Sequence, residues 1–242
     1  MFIHYRTKGF VLKKEDREEA DQLFTLFTKD FGKLEILGKA IRKISSKLRA
    51  NIEIFYLTEV EFIQGKNQKI LTDAILIEKF KNLRKNLKKL QLAYRIADVL
   101  DNLVKGQEAD EKIWQLLKET FYQLNDEKIK DEKLDIIYFY FFWNLLSFLG
   151  YEPELYYCLS CQKKLKPEKL YFGKEGIICH FCKKRLKSKK ELLLEVLPEI
   201  IKILRVILKK NLDFLLKLKI EKKDIFLLKK ISHFYYLNIL KQ

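Results

Sequence analysis

The first 80 residues read as strands separated by turn signals. Tyr5–Lys13 is a mixed run rich in Phe and Val, and the charged stretch KKEDREEAD, from Lys13 to Asp21, reads as a break after it. Leu23, Phe24, Leu26 and Phe27 then face Leu34, Ile36 and Leu37 across Lys29-Asp30-Phe31-Gly32, which predicts a hairpin. Ile52–Ile63 alternates in part, Gly65-Lys66-Asn67 is a turn signal, and Lys69–Phe80 makes a fifth strand. Five short strands in about 80 residues fit a small barrel such as the oligonucleotide-binding (OB) fold, and other small barrels fit the same count.

From residue 81 the period changes. Leu83, Leu87, Leu90, Tyr94, Ala97 and Leu100 recur at helical spacing, and Lys105-Gly106 closes that helix. Glu111–Leu124 predicts a second helix and Leu134–Leu149 a third, apolar nearly all round and therefore central, stopped by Gly150 and Pro153. Glu191–Asn211 and Asp224–Leu240 predict two more, with Pro198 marking a fresh start near Leu197. The expected architecture is α+β: an OB-type barrel over 1–80, then a helical domain over 81–242 with a four-cysteine lobe inserted at about 155–186.

Composition narrows the class. Hydrophobic residues make up 48% and charged residues 34%, so a packed core is expected rather than disorder. The formal net charge of +16 is uneven: residues 81–162 carry 12 basic and 13 acidic side chains, whereas 163–190 carry 11 against 2. Such a surface attracts polyanions (DNA, RNA or an anionic membrane), although a lysine-rich composition also produces solvated basic faces with no partner. The N-terminal MFIHYRTKGF has no apolar core and is not read as a signal peptide. Ile136–Leu149 spans 14 residues and includes Asn144 and Ser147, short of the roughly 20 a bilayer requires.

All four cysteines fall in one stretch, as Cys158-x2-Cys161 and, 17 residues on, Cys179-x2-Cys182. Two such pairs can close a tetrahedron around one ion, and four protein ligands leave no open position, so the spacing points to structural Zn2+. Disulfides fit less well in a chain without an export signal, and a redox dithiol lacks a thioredoxin-like context. Leu170-Tyr171-Phe172 and Gly176-Ile177-Ile178 read as a short hairpin leading into the second pair, and His180 reads as a loop or surface histidine rather than a ligand.

No phosphate-binding loop, no His-x-Glu before the cysteines and no clustering of the three histidines suggests catalysis. A non-enzymatic binding protein is the expectation. Gly38–Ile52 contains Lys39, Arg42, Lys43, Lys47 and Arg49 without an acidic residue, and Ser45 and Ser46 besides, which suits contact with a phosphate backbone. A second basic run covers Lys183–Lys190. Barrel aromatics (Tyr5, Phe10, Phe24, Phe27, Phe31, Phe55 and Tyr56) are candidates for stacking on bases or for the core.

TKGFVLKKEDREEADQLFTLFTKDFGKLEILGKAIRK, the later SKLRA and TEVEF segments, and GYEPEL leading into the cysteine pairs are similar to the bacterial RecO family of DNA repair proteins. That resemblance spans nearly the whole chain and is most specific over 7–49 and 150–182. It implies an OB barrel, a helical domain with a zinc lobe, and no enzymatic activity. It also implies binding of single- and double-stranded DNA, annealing of complementary strands, and work with RecR, RecF and the acidic tail of single-stranded DNA-binding protein to load the RecA recombinase in the cytoplasm, at the nucleoid. By the same resemblance Lys39, Arg42, Lys43 and Lys47 lie in the segment tied to DNA contact, and the cysteines match the zinc-bearing branch. Many relatives have Lys-Gly-Ala-Arg where this chain has Lys39-Ala40-Ile41-Arg42, and a backbone needing positive φ there is strained by Ala40. A competing reading is a zinc-stabilised protein–protein adaptor whose basic surface takes an acidic partner peptide.

Overall fold

The computed structural model describes residues 3–166, 168–185 and 193–241. It divides into two compact units, Met1–Asp131 and Glu132–Gln242.

The first unit begins with a closed barrel of β1 (His4–Arg17), β2 (Asp21–Thr28), β3 (Gly32–Gly38), β4 (Leu57–Gln64) and β5 (Lys69–Glu78), in the neighbour order β1-β2-β3-β5-β4. Closure depends on β1, which pairs with β4 over His4–Phe10 and with β2 over Gly9–Arg17. A bulge between Val11 and Lys13 bends the strand between its two partners, and closure leaves β1 no free edge. The β3–β5 pairing is parallel and short, Ile36 to Lys69 and Leu37 to Ile70. Val11, Phe24, Leu26, Leu34, Ile36, Val60, Phe62 and Leu71 fill the interior. This is the five-stranded OB-type barrel that the spacing of turns predicts.

Two details differ from the sequence pattern. Lys13–Arg17 is no break: these residues extend β1 and pair with Asp21–Thr25, and the turn shrinks to Glu18–Ala20. Backbone pairing tolerates charge on a strand end whose side chains reach water. Conversely, Ile52 and Phe55 are buried but precede β4; Phe55 sits at φ 62° and exchanges backbone hydrogen bonds with Val11 through its own N–H and the Tyr56 carbonyl. Their apparent alternation comes from a loop packed into the barrel.

Three helices complete this unit: α1 (Lys81–Lys85), α2 (Leu87–Leu103) and α3 (Glu111–Asn125). The helix predicted from Leu83 is split at Asn86, whose side chain accepts from the Lys88 and Lys89 amides and so starts α2 afresh. Asp110 caps α3 by accepting from Ile113 N–H at 3.0 Å. The helices cover the outward side of β1: Val11 points into the barrel, while Phe10 meets Trp114 at 5.3 Å, Phe121 at 5.1 Å and Phe80 at 5.9 Å between ring centres.

The second unit is built on α4 (Leu134–Phe148), whose Phe139, Phe141, Phe142, Trp143, Leu145 and Leu146 are fully buried. A helix apolar on all sides needs neighbours on all sides. These are α6 (Pro198–Lys209), α7 (Leu212–Lys217) and α8 (Lys222–Leu240). Trp143 Nε1 donates to Ser232 Oγ at 3.1 Å, which satisfies two buried polar groups at once. Between α4 and α6 lies the cysteine lobe, with β6 (Leu170–Phe172), β7 (Ile177–Cys179), α5 (His180–Arg185) and β8 (Leu194–Val196), the strands ordered β7-β6-β8. The helix predicted from Glu191 therefore begins later. Glu191 and Leu192 lie outside the described residues, Leu194–Val196 pair with β6, and helix starts at Pro198. Among the described residues no helix is long and apolar enough to cross a membrane.

Asp101 of α2 joins helix to barrel. Its carboxylate takes Lys13 and Lys33 at 3.1 Å each, and Lys33 also donates to the Asp101 carbonyl at 2.7 Å. Burial pushes the carboxyl pKa up, but the two ammonium groups outweigh it and hold it below its ordinary value. A depressed folded-state pKa means stability that is present above the unfolded value of about 3.9 and lost as pH falls through the folded value. Asp101→Asn is expected to lower stability by about 1–2 kcal/mol at pH 7. The gap between variant and parent should close in urea unfolding curves taken below pH 4; a gap constant from pH 7 to 3 contradicts this.

Candidate metal centre and nucleic-acid interface

The segment after β3 leaves the barrel and returns only at Leu57 without forming helix or strand. Ile41 and Ile52 are buried in the barrel core and Leu48 packs against it. Gly38 allows this: a side chain there would meet Ile41 and Phe24 at 3.0 Å. Arg42 N–H donates to Ala20 O at 3.0 Å, and turns close from Lys43 to Ala40 and from Ser46 to Lys43. With the apolar residues turned inward, Lys39, Arg42, Lys43, Lys47 and Arg49 are all exposed. Arg42 pairs with Asp16 at 3.4 Å, a solvent-exposed ion pair of little energetic weight, and Arg49 donates to the Arg42 carbonyl at 3.4 Å. Lys39, Lys43 and Lys47 meet no carboxylate among the described residues.

Ala40 sits at φ 50°, in the left-handed region where an L side chain is strained. Its amide is held by Asp21, whose Oδ1 accepts at 2.6 Å. Asp21 closes the charged run after β1 and gives no sequence signal beyond charge; its role comes from the β2–β3 register, which sets Gln22 opposite Gly38. Of the barrel aromatics, Phe10, Phe24, Phe27 and Phe55 are fully buried and unavailable for stacking, while Tyr5, Phe31 and Tyr56 are half-buried.

The four cysteines converge. The sulfurs of Cys158, Cys161, Cys179 and Cys182 all lie within 4.8 Å of one another, with Cys161 and Cys179 at 4.0 Å. The first pair sits on a tight knuckle: Cys158 N–H donates to Lys163 O, Gln162 N–H returns to Cys158 O at 2.9 Å, and Gln162 adopts φ 56°. Leu159 N–H donates to Ile177 O at 2.9 Å and ties the knuckle to β7. The second pair spans the end of β7 and the first turn of α5. Gly176, at φ 149°, permits the crossing, because a Cβ there would come within 2.4 Å of the Glu154 carbonyl oxygen.

The four thiols are not equivalent. Burial pushes the Cys158 thiol up, but the N–H groups of Cys179, Cys161 and Ser160 directed at its sulfur outweigh this and bring it down to about 6. At Cys182 the Ser160 hydroxyl lowers the pKa, but burial and the other three thiols outweigh it and push the group up to about 12. Four thiolates crowded together resist the last ionisation, and a cation between them removes that resistance. The cluster could hold a metal ion. Lys163, Lys164, Lys166, Lys169 and Arg185 line the same concavity. Leu186–Lys190, the remainder of the basic run predicted from Lys183, lie outside the described residues.

Two family models match the chain: "Recombination protein O N terminal" over residues 1–80 and "Recombination protein O C terminal" over residues 84–241. Among relatives, the DNA repair protein RecO of Dehalococcoides mccartyi is 28% identical over 221 residues, covering 90% of this chain and 84% of the relative. RecO of Caldanaerobacter subterraneus subsp. tengcongensis is 30% identical over 222 residues (90% and 83%), and RecO of Thermodesulfovibrio yellowstonii 31% over 227 residues (91% and 87%).

The strain at Ala40 is open to direct measurement. Left-handed φ costs a non-glycine residue about 1–2 kcal/mol, partly offset by the extra unfolded-state freedom of glycine. Ala40→Gly is therefore expected to stabilise the protein by about 0.5–1 kcal/mol. The shift should appear in the denaturation midpoint with an unchanged m-value. A destabilised Ala40→Gly variant is incompatible with the observed loop path.

Proposed function

The chain belongs to the RecO family of DNA repair proteins, and on that premise we propose that it is a recombination mediator without chemistry of its own. In this reading it binds single- and double-stranded DNA, anneals complementary strands, and assists RecR, and RecF with it, in loading the recombinase. The observation that carries the reading is the acid-free, exposed set of Lys39, Arg42, Lys43, Lys47 and Arg49 on a segment pinned to an OB-type barrel. Cations on long side chains neutralise phosphates and displace counterions, and they leave base edges free to pair. Two strands relieved of their mutual repulsion then anneal. Arg42 joins in once its exposed pair with Asp16 opens, at little cost.

The cysteines would hold a structural Zn2+. Bonds of about 2.3 Å to a central ion put tetrahedral sulfurs about 3.8 Å apart. The observed 4.0 Å between Cys161 and Cys179 needs only a small contraction to reach that. Bound there, the ion supplies cross-linking energy and no open coordination position. The chain's own contribution is the two knuckles, the N–H groups directed at Cys158, and the lysines that offset the negative charge of four thiolates.

A groove of about 590 Å3 in the second unit is the seat this reading assigns to the acidic tail of single-stranded DNA-binding protein. Ile136, Ile225 and Phe226 line it beside Lys133, Lys219 and Lys222; Glu132 and Asp135 line it too, and Asp135 pairs with Lys229 at 2.8 Å. The same groove favours the competing reading, in which a protein is the main partner.

Reversing charge at Lys39, Arg42 and Lys43 separates the two readings: DNA binding should fall more than tenfold, while an adaptor would be unaffected. Five phosphate contacts on a single strand give a logarithmic salt slope of about −3.5, or a loss of roughly 100-fold in affinity between 50 and 200 mM salt. Fluorescence anisotropy on an oligonucleotide measures both, and a nearly flat salt response rejects phosphate tracking. Metal analysis should return one zinc per chain. Removing it takes away ligation worth about 10–16 kcal/mol and should open the lobe to proteolysis at Lys163–Lys184 while α4 and α8 stay helical. A zinc-free protein with unchanged protease resistance counts against the assignment.

A further inference from the structure

We propose that the cysteine lobe is itself a contact for single-stranded nucleic acid, stacking a base on Phe181 and taking the flanking phosphates on Lys163, Lys164, Lys166 and Arg185. This rests on the DNA-binding reading and adds a second surface to it, separate from the barrel loop.

Three observations in the second unit point the same way. The first is charge. Lys163, Lys164, Lys166, Lys169 and Arg185 line one concavity of about 380 Å3, where Glu168 is the acidic residue. Lys169 has a partial partner, Glu195 at 3.8 Å, and the other four form no ion pair with a described residue. Four thiolates and one divalent ion together carry two negative charges, which leaves cations in excess around the concavity, with Lys183 and Lys184 adjacent. Clustered like charges repel, and an anionic partner relieves the repulsion.

The second is an exposed ring on a fixed backbone. Phe181 lies between Cys179 and Cys182, is 64% exposed and lines the concavity. An exposed phenylalanine on a backbone held at both sides by cysteine knuckles keeps its apolar face in water at a free-energy cost and offers it without a further cost of ordering the chain. It continues a short series of flat groups: His180 lies 6.1 Å from Phe181 and stacks on Tyr171 at 6.4 Å with 17° between planes, and Lys183 stands 5.9 Å over the Tyr171 ring. Aromatic faces alternating with cations are how a single strand is held without reading its sequence.

The third is an unsatisfied polar atom. Nδ1 of His180 is buried and has no hydrogen-bond partner among the described residues, and His180 lines the same concavity. Buried polar atoms are rarely left alone, so Nδ1 would gain a partner if the ring turned toward a base held in the concavity. A nucleic acid is favoured over an acidic peptide here because an exposed ring stands among the cations of the concavity, and a base offers that ring a flat face along with the phosphates that the cations take.

The test uses the full-length, zinc-loaded protein, with zinc content measured for every variant. Photocrosslinking to an oligonucleotide carrying 5-iododeoxyuridine should label Phe181 or Tyr171. Phe181→Ala should weaken binding of a second strand 5–50-fold and slow annealing, and Phe181→Leu, which keeps an apolar side chain but removes the flat face, should do likewise at full zinc occupancy. Lys164→Gln/Lys166→Gln/Arg185→Gln should make the salt slope shallower by about 2. Zinc-replete variants that crosslink, bind and anneal like the parent overturn the proposal, as does crosslinking confined to residues 39–49. Protection of the lobe by an acidic peptide but not by oligonucleotide also overturns it. Loss of function on charge reversal at Lys39, Arg42 and Lys43 with none from the lobe variants defeats this proposal alone. Loss from the lobe variants with none from the loop defeats the barrel-loop reading and leaves this one standing.

Discussion

Ile41, Leu48 and Ile52 hold in place a cationic segment that has no regular secondary structure of its own. Burying the two isoleucines contributes about 1.5–3 kcal/mol each, and that must outweigh both the chain entropy of the excursion and the mutual repulsion of five cations. The geometry of the candidate interface follows. Once the apolar residues are in the barrel, Lys39, Arg42, Lys43, Lys47 and Arg49 have only the solvent side left. The same constraint explains Gly38, which lets Ile41 approach, and the left-handed turn at Ala40, which redirects the chain while Asp21 holds its amide.

The cysteine lobe solves the same problem by convergence of its four sulfurs on top of burial. Its strands have three residues each, too few to secure a fold through pairing alone, and four sulfurs within 4.8 Å of one another add to a small core of Leu170, Phe172, Ile177, Ile178 and Val196. In both places a small internal staple fixes backbone so that cations can be shown outward without a carboxylate partner for each. The Asp101 site runs the opposite way. There Lys13 and Lys33 are spent on holding α2 to the barrel and are not free for phosphate.

Much of this was legible in the order of residues. Five strands, their turns at Asp30–Gly32 and Gly65–Asn67, and the apolar third helix came from patterns within windows of ten or fifteen residues, because side-chain period and turn chemistry are local properties. The four-cysteine set was legible for a related reason: two Cys-x-x-Cys pairs are local motifs that have to meet if they are to share an ion. The resemblance to the RecO family was likewise carried by short residue strings, and the family models matched across both halves of the chain.

What the order of residues could not decide lies in long-range placement. Charge along Lys13–Arg17 read as a break, yet β2 and the closing barrel supply a partner backbone that makes it strand. Periodicity marked Ile52 and Phe55 as strand residues when the barrel merely buries them in a loop. Change of period falls at residue 81, whereas packing joins α1–α3 to the barrel up to Asp131, through the rings of Phe10, Phe80, Trp114 and Phe121. The sequence by itself determined most of the strand and helix segments and the two Cys-x-x-Cys pairs that could share an ion, because those follow from neighbours along the chain. The tertiary structure alone decided which cations stay free, which aromatics are core and which acid holds Ala40, because each of those depends on a group brought close from elsewhere in the chain.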